Sequence, residues 1–133
     1  MYLRFVIQSK HPHTGVEEGL FRPAYALRRS GKLPQYEYAE LDKLLKWFGE
    51  NLQVPTRFNR TKSKGYYRRN SRGISWLKPT SLQCISKMRA LAVIMSWHGY
   101  HTTMIKTARP GYVVYEDDHQ IVAEPFSDAQ DLH

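Results

Sequence analysis

The chain has 133 residues, of which 41% are hydrophobic and 13% aromatic, and its net charge of +8 favours acidic partners such as nucleic acid. This length fits one compact domain over residues 1–133 and excludes two domains of ordinary size. The longest apolar run, ALAVIM at 90–95, is too short to span a membrane, and a single cysteine excludes an intrachain disulfide.

The first predicted element is a strand over residues 2–7, YLRFVI, whose aromatic and β-branched side chains barely alternate with polar ones, as in a central strand. A helix is predicted over residues 15–29, because Thr14 and Glu17 have the spacing of a capping box and apolar residues then recur at helical spacing. Pro23 lies inside this segment and predicts a kink or a break there.

A second helix is predicted over residues 35–51, before Pro55. Its apolar stripe consists of Tyr38, Leu41, Leu44 or Leu45, Phe48 and Leu52. Residues 54–72 show no periodicity, many charges and a central Gly65, so we expect a long loop there. A pair of short edge strands around GYY is the alternative.

The next predicted strand, GISWLK at 73–78, stops at Pro79. Thr80 and Gln83 form a second possible capping box, which predicts a helix that continues to Trp97 or His98 and ends at Gly99. The apolar face of this helix is expected to contain Ile85, Met88, Ala92 and Met95.

Three strands are predicted in the last third of the chain, at 102–106, 111–116 and 120–126, with the short connections typical of an antiparallel meander. The order β-α-α-loop-β-α-β-β-β predicts an α+β fold. We expect a mostly antiparallel sheet of about four or five strands, with three helices packed on one side.

Charge is distributed in three blocks along the chain. Residues 1–50 contain eight basic and six acidic side chains, residues 51–115 contain twelve basic and none acidic, and residues 116–133 contain six acidic and none basic. The acidic end either lies over the basic middle or forms a separate face, and the sequence does not choose between these arrangements.

The basic loop is the leading candidate for a binding site. Its basic residues neutralise phosphates, and exposed aromatic rings stack on unpaired bases, so the composition favours RNA or single strands. The residues are Arg57, Arg60, Lys62, Lys64, Arg68, Arg69 and Arg72, with Phe58, Tyr66 and Tyr67. Trp76 is a further stacking candidate, although core packing explains it better. An acidic protein partner and a merely solvated loop are the alternatives for this segment.

Three classes of function follow from these observations. The first is a non-catalytic nucleic-acid-binding domain, and the second is a protein-binding adaptor or inhibitor subunit of a larger assembly. The third is a small metal-independent ribonuclease, which needs a base, an acid and a cation, with His11, His13 and His98 as weak catalytic candidates. The oligomeric state is left open.

Metal chemistry has little support in the sequence. A structural zinc site needs four ligands in short paired spacings, which one cysteine and scattered histidines do not supply. The acidic run at 116–119 has the ligand types of a divalent-ion site, but adjacent aspartates are also ordinary hairpin-turn residues. We therefore expect no cofactor and no metal. Cys84 is expected to be a buried small hydrophobe, and Tyr100, Tyr112 and Tyr115 are expected to be sheet and core aromatics.

The segment MYLRFVIQ lacks the length and cleavage site of a signal peptide, so we expect a soluble, cytoplasmic protein with no membrane partner. The chain also resembles a family of small uncharacterised bacterial proteins over its whole length. The matching stretches are RFVI, GLF, AYALRRSGKLPQYE, WFGENL, ISWLK and RPGYVVYEDDHQIVAEPF. The resemblance implies a single bacterial domain and carries no catalytic signature.

Overall fold

The structure is a computed structural model that describes residues 1–10, 17–52 and 73–125. In these ranges it contains three helices and six strands, and it confirms the predicted α+β fold and element order, with one short strand added. The elements are β1 (Tyr2–Lys10), β2 (Glu17–Gly19), α1 (Phe21–Arg29), α2 (Gln35–Asn51), β3 (Ile74–Leu77), α3 (Leu82–Trp97), β4 (Thr102–Thr107), β5 (Tyr112–Glu116) and β6 (Gln120–Glu124).

The strands form one antiparallel sheet in which β1 has neighbours on both sides. On one side β1 pairs with β4, and on the other it pairs with β2 towards its C-terminal end and with β3 at Leu3. β3 pairs with β6, and β6 pairs with β5. The predicted meander is wrong for its first pair of strands, since β4 and β5 lie at opposite edges of the sheet, and the predicted hairpin of β5 and β6 is confirmed. Turn signals alone suggested a hairpin between β4 and β5, but β4 packs beside β1, with Met104 opposite Phe5.

The short connection between β4 and β5 requires the sheet to curl. Five residue steps from Thr107 to Tyr112 reach at most about 18 Å. Four strand spacings across a flat sheet come to about 19 Å, before any offset along the strands is counted. The face turned inward by this curl contains a small apolar cluster. Its buried members are Trp76, Ile121 and Ala123, and Tyr2, Ile74 and Ile105 pack against them.

The larger core lies between the other face of the sheet and the helices. Leu41 and Leu45 of α2 and Leu91 and Met95 of α3 are almost fully buried, and all four pack in one cluster with β1. The strand residues of this cluster are Leu3, Phe5, Ile7 and Leu77. Burial of this apolar surface is the main force that holds the helices on the sheet.

The first helix begins later than predicted. Glu17 lies in β2, which pairs with β1, so it does not complete a capping box, and α1 starts at Phe21. Pro23 is therefore in the first turn of α1, where backbone N–H groups have no partner within the helix. The predicted kink at Pro23 is wrong for this reason.

The bounds predicted for α2 are confirmed, and so are most of its buried positions. Tyr38 differs, because 44% of it is exposed. The capping box predicted for α3 is wrong, since the residue before the helix is Ser81 and its hydroxyl does not accept a backbone N–H of the first turn. The end of α3 is confirmed: Gly99 has a φ of 87°, a left-handed conformation that favours glycine.

Cys84 is fully buried in α3, which confirms that it serves as a small hydrophobe. Burial raises the pKa of its thiol above the usual value, although a hydrogen bond with Ser81 opposes this effect. Across the described residues, no helix is both long enough and apolar enough to cross a membrane.

Candidate nucleic-acid interface

The basic loop predicted to bind nucleic acid lies outside the described residues. This applies to Arg57, Arg60, Lys62, Lys64, Tyr66, Tyr67, Arg68, Arg69 and Arg72. The structure does show the two points at which residues 53–72 join the fold. Leu52 follows the end of α2 and is buried, and Gly73 precedes the first residue of β3.

The second junction lies beside the β5 edge of the sheet. Ile74 is opposite Ala123 of β6, and Ala123 is opposite Val113 of β5. Adjacent strands are about 4.8 Å apart, so Ile74 and Val113 are about 10 Å apart across the sheet. Tyr112 is 63% exposed and Val113 is 50% exposed. An exposed aromatic ring therefore lies next to the point where the basic segment enters the sheet.

Tyr112 was expected in the core, and its exposure corrects that expectation. Its strand position was predicted from sequence, but exposure depends on β5 being an edge strand, and the local sequence does not contain the sheet order. Gly111, with a φ of 133°, brings the chain against the backbone of Glu124 just before Tyr112. Of the other two tyrosines, Tyr100 packs partly against the large core, and Tyr115 is half-buried.

Trp76 is buried, and only 9% of its surface is exposed. It packs against Ile121 and Ala123 on the inward face of the sheet, as the core-packing alternative predicted. Little of its ring is therefore accessible to a base in this structure. Its indole Nε1 has no hydrogen-bond partner in the part of the chain that the structure describes.

The acidic residues at the end of the chain are divided between two ends of β6. Glu116, Asp117 and Asp118 lie at the β5–β6 turn, whereas Gly73 lies near the other end of β6, beside Glu124. Four residue steps along β6 separate these ends by about 14 Å. The acidic turn is thus apart from the junction of the basic segment, and Asp128 and Asp131 lie outside the described residues.

Glu116 is neutralised in part by Lys78, which follows β3 and so lies two strands away across the sheet. Its carboxylate is 2.6 Å from the ammonium group of Lys78, and this hydrogen bond raises the pKa of Lys78. Because Glu116 is 57% exposed, water screens the pair, and its contribution to stability is small.

Asp117 organises the turn between β5 and β6. One carboxylate oxygen accepts the backbone N–H groups of His119 at 2.8 Å and Gln120 at 3.0 Å. The other accepts the hydroxyl of Tyr115 at 3.0 Å and the side-chain amide of Gln120 at 3.2 Å. Burial acts to raise the pKa of Asp117, but these hydrogen bonds outweigh it and the pKa is lowered.

The imidazole of His119 contacts Ser81, which lies in the connection between β3 and α3. Its Nδ1 is 2.9 Å from the hydroxyl of Ser81, and the backbone carbonyl of His119 accepts the N–H of Lys78 at 2.9 Å. This resembles a nucleophile and base pair, but Asp117 contacts the backbone of His119 rather than its ring, and Ser81 is only 6% exposed. The contacts fasten the hairpin to the start of α3.

His98, a weak catalytic candidate, is held at the end of α3. Its Nε2 is 2.9 Å from a carboxylate oxygen of Glu37, which is buried at the start of α2. The pair connects the two helices. His11 and His13 lie outside the described residues, so their grouping with His98 stays a prediction. In the described ranges, no group of three or more His, Cys, Asp or Glu residues is arranged to hold a metal ion.

No protein-family model, curated protein or solved structure matches this chain. The resemblance to a family of small bacterial proteins therefore stays a prediction.

Proposed function

We propose that this protein binds RNA or single-stranded nucleic acid, without catalysis, through residues 53–72. The observation that carries the proposal is charge: this segment contains seven basic side chains and no acidic one. Each lysine or arginine that contacts a phosphate releases counterions, which favours binding to any sequence. Tyr66 and Tyr67 add rings that can stack on unpaired bases.

Two features of the described residues support this proposal. Tyr112 supplies a third accessible ring next to the junction of the segment with β3. The acidic turn at Asp117 lies at the other end of β6, so its charge does not cover that junction. A nucleic acid at this end of the sheet would then meet basic and aromatic groups, beside the acidic residue that β6 places there, Glu124.

Fluorescence anisotropy of a labelled single-stranded RNA, measured across a salt series, tests the proposal. Replacing Arg68 and Arg69 together by alanine should weaken binding for all sequences. It should also reduce the slope of log affinity against log salt by about 1.4, since each lost phosphate contact on a single strand accounts for about 0.7. Replacing Tyr66 and Tyr67 by alanine should cost about 1 to 3 kcal/mol per stacked base and leave the slope unchanged.

The matched control replaces Arg29 and Lys32, two exposed basic residues near the end of α1, by alanine. It removes the same charge from the molecule but should leave the salt slope close to that of the parent. Equal binding by the parent and both loop variants would show that the segment does not bind nucleic acid.

A protein-binding function is the second candidate, and it is supported by different residues. A groove between α2 and α3 favours it, because exposed Tyr36, Val93 and Trp97 line this groove together with charged residues.

A further inference from the structure

The outward surface of α3 carries a stripe of exposed apolar residues, with Gln83, Arg89 and Ser96 exposed beside it. Helices at a protein surface normally have polar residues on the side opposite the core. In α3 the core side contains Cys84, Met88, Leu91 and Met95, yet Leu82 is 74% exposed, Val93 is 50% exposed and Trp97 is 61% exposed. Apolar residues on both sides of a helix indicate a second surface to be buried.

This surface continues onto α2 across a groove. The start of α2 is beside the end of α3, as the contact between Glu37 and His98 shows, so the two helices are antiparallel. Between them is a groove of about 450 Å³. One end has large exposed side chains, Tyr36 and Trp97, together with Val93. The opposite end has small ones, of which Ser86 and Ala90 are exposed on α3.

Charge also differs between the two ends of the groove. Glu40 is exposed near the large side chains, and Lys43 and Lys87 lie near the small ones. The ammonium group of Lys87 is also 5.6 Å from the ring centre of Trp47, at the far end of α2. Within the described ranges, neither Glu40 nor Lys43 forms an ion pair. Both charges are therefore available to a partner.

We propose that a second copy of this chain docks on this groove, so that the α2–α3 pairs of two protomers pack across a twofold axis. A twofold rotation reverses the direction of the groove, which places the large end of one protomer over the small end of the other. Trp97 of each protomer then lies over Ser86 and Ala90 of its partner. The same rotation places Glu40 of each protomer near Lys43 and Lys87 of the other.

The same groove has both large and small side chains, and both acidic and basic ones. Two copies related by a twofold axis therefore complement each other in side-chain size and in charge, which favours a second copy over an unrelated protein. Buried aromatic anchors such as Trp97 and Tyr36 usually account for most of the binding energy of an interface. Charge pairs at its rim select the orientation and increase the association rate. The inference goes beyond nucleic-acid binding and does not depend on it.

Sedimentation velocity over a range of protein concentrations tests this proposal. The parent should show a monomer–dimer equilibrium, and Trp97→Ala should raise the dimer Kd at least tenfold by removing an aromatic anchor at each end of the interface. Tyr112→Ala is the matched control, because Tyr112 is an aromatic residue of similar exposure on β5. Its dimer Kd should equal that of the parent. A monomeric parent at every concentration, or a dimer unaffected by Trp97→Ala, would overturn the proposal.

A charge-exchange experiment tests the twofold geometry itself. Glu40→Lys alone places lysines opposite lysines at both ends of the interface, and Lys43→Glu with Lys87→Glu places acids opposite acids. Each variant should be monomeric by itself, with the helix ellipticity of the parent, because these side chains lie at the surface or are only partly covered. An equal mixture of the two should restore the dimer, since every pair is then of opposite charge. Failure of the mixture to associate would exclude the proposed arrangement.

Discussion

At the scale of single residues, several polar side chains in the described ranges hold the connections between helices and strands in place. Asp117 receives four hydrogen bonds inside its own hairpin. Ser81 bonds to His119 instead of capping α3, and Glu37 bonds to His98 between two helices. Ser81 and His119, like Glu37 and His98, are far apart in sequence, so no motif search would have grouped either pair.

Replacing Asp117 by alanine tests the role of the turn. The change removes the carboxylate that accepts the side-chain amide of buried Gln120 and two backbone N–H groups, so we expect a loss of about 2 to 3 kcal/mol in the free energy of unfolding. Urea denaturation measures it. Asp118→Ala, at the exposed neighbouring position, should change stability by less than about 0.5 kcal/mol.

The stability lost in Asp117→Ala should also depend on pH. The pKa of Asp117 is lower in the folded protein than its unfolded value of about 4, so its stabilising effect is complete above that value. The effect is lost as pH falls through the lowered folded pKa. The stability difference between the parent and Asp117→Ala should therefore shrink in acid, and a difference that grows in acid would contradict the role assigned to this carboxylate.

At the scale of elements, the pairing of the strands depends on the backbone conformation at a few positions. Gly111 immediately precedes β5 and has a φ of 133°, and a Cβ at this position would collide with the carbonyl group of Glu124. This close approach sets the register between β5 and β6 at the end of the sheet where the basic segment joins. The helices depend more on apolar spacing, which explains why α2 was predicted with its observed bounds.

Gly111→Ala should destabilise the protein by at least about 2 kcal/mol, because alanine neither fits the space nor readily adopts this φ. Gly49→Ala is the control, since Gly49 is in α2 and nothing lies within 4 Å of the added Cβ. That change should stabilise the protein by about 0.5 to 1 kcal/mol. Thermal unfolding of both variants checks the two signs, and a neutral Gly111→Ala would contradict the close packing of β5 on β6.

At the scale of the whole molecule, one sheet separates two apolar clusters of unequal size. The larger cluster lies under the helices, and the smaller one lies on the inward face around Trp76 and Ile121. β1 joins them, because Leu3 belongs to the first cluster and Tyr2 packs against the second. A shared strand of this kind favours a single cooperative unfolding transition.

Leu91→Ala and Ile121→Ala test that cooperativity. Each residue is almost fully buried, one in each cluster, so each change should cost about 2 to 5 kcal/mol. Unfolding is followed by helix ellipticity and by tryptophan fluorescence. For each variant, the midpoints measured by the two probes should shift by the same amount. Leu82→Ala, at a residue that is 74% exposed, should shift neither. If Ile121→Ala moved only the fluorescence transition, residues 1–133 would not form a single cooperative unit.

By itself, the sequence determined the fold class, the bounds of α2, the burial of Cys84 and the concentration of basic charge in residues 53–72. These features follow from local periodicity and composition, which can be read from a short segment without knowing the rest of the fold. The tertiary structure alone decided that β4 pairs with β1, that Glu17 is in a strand and that Ser81 bonds to His119. It also decided which apolar residues of α3 stay exposed and where Tyr112 lies. These outcomes depend on which segments meet after the chain collapses, and contacts between residues far apart in sequence leave no periodic signal in either partner.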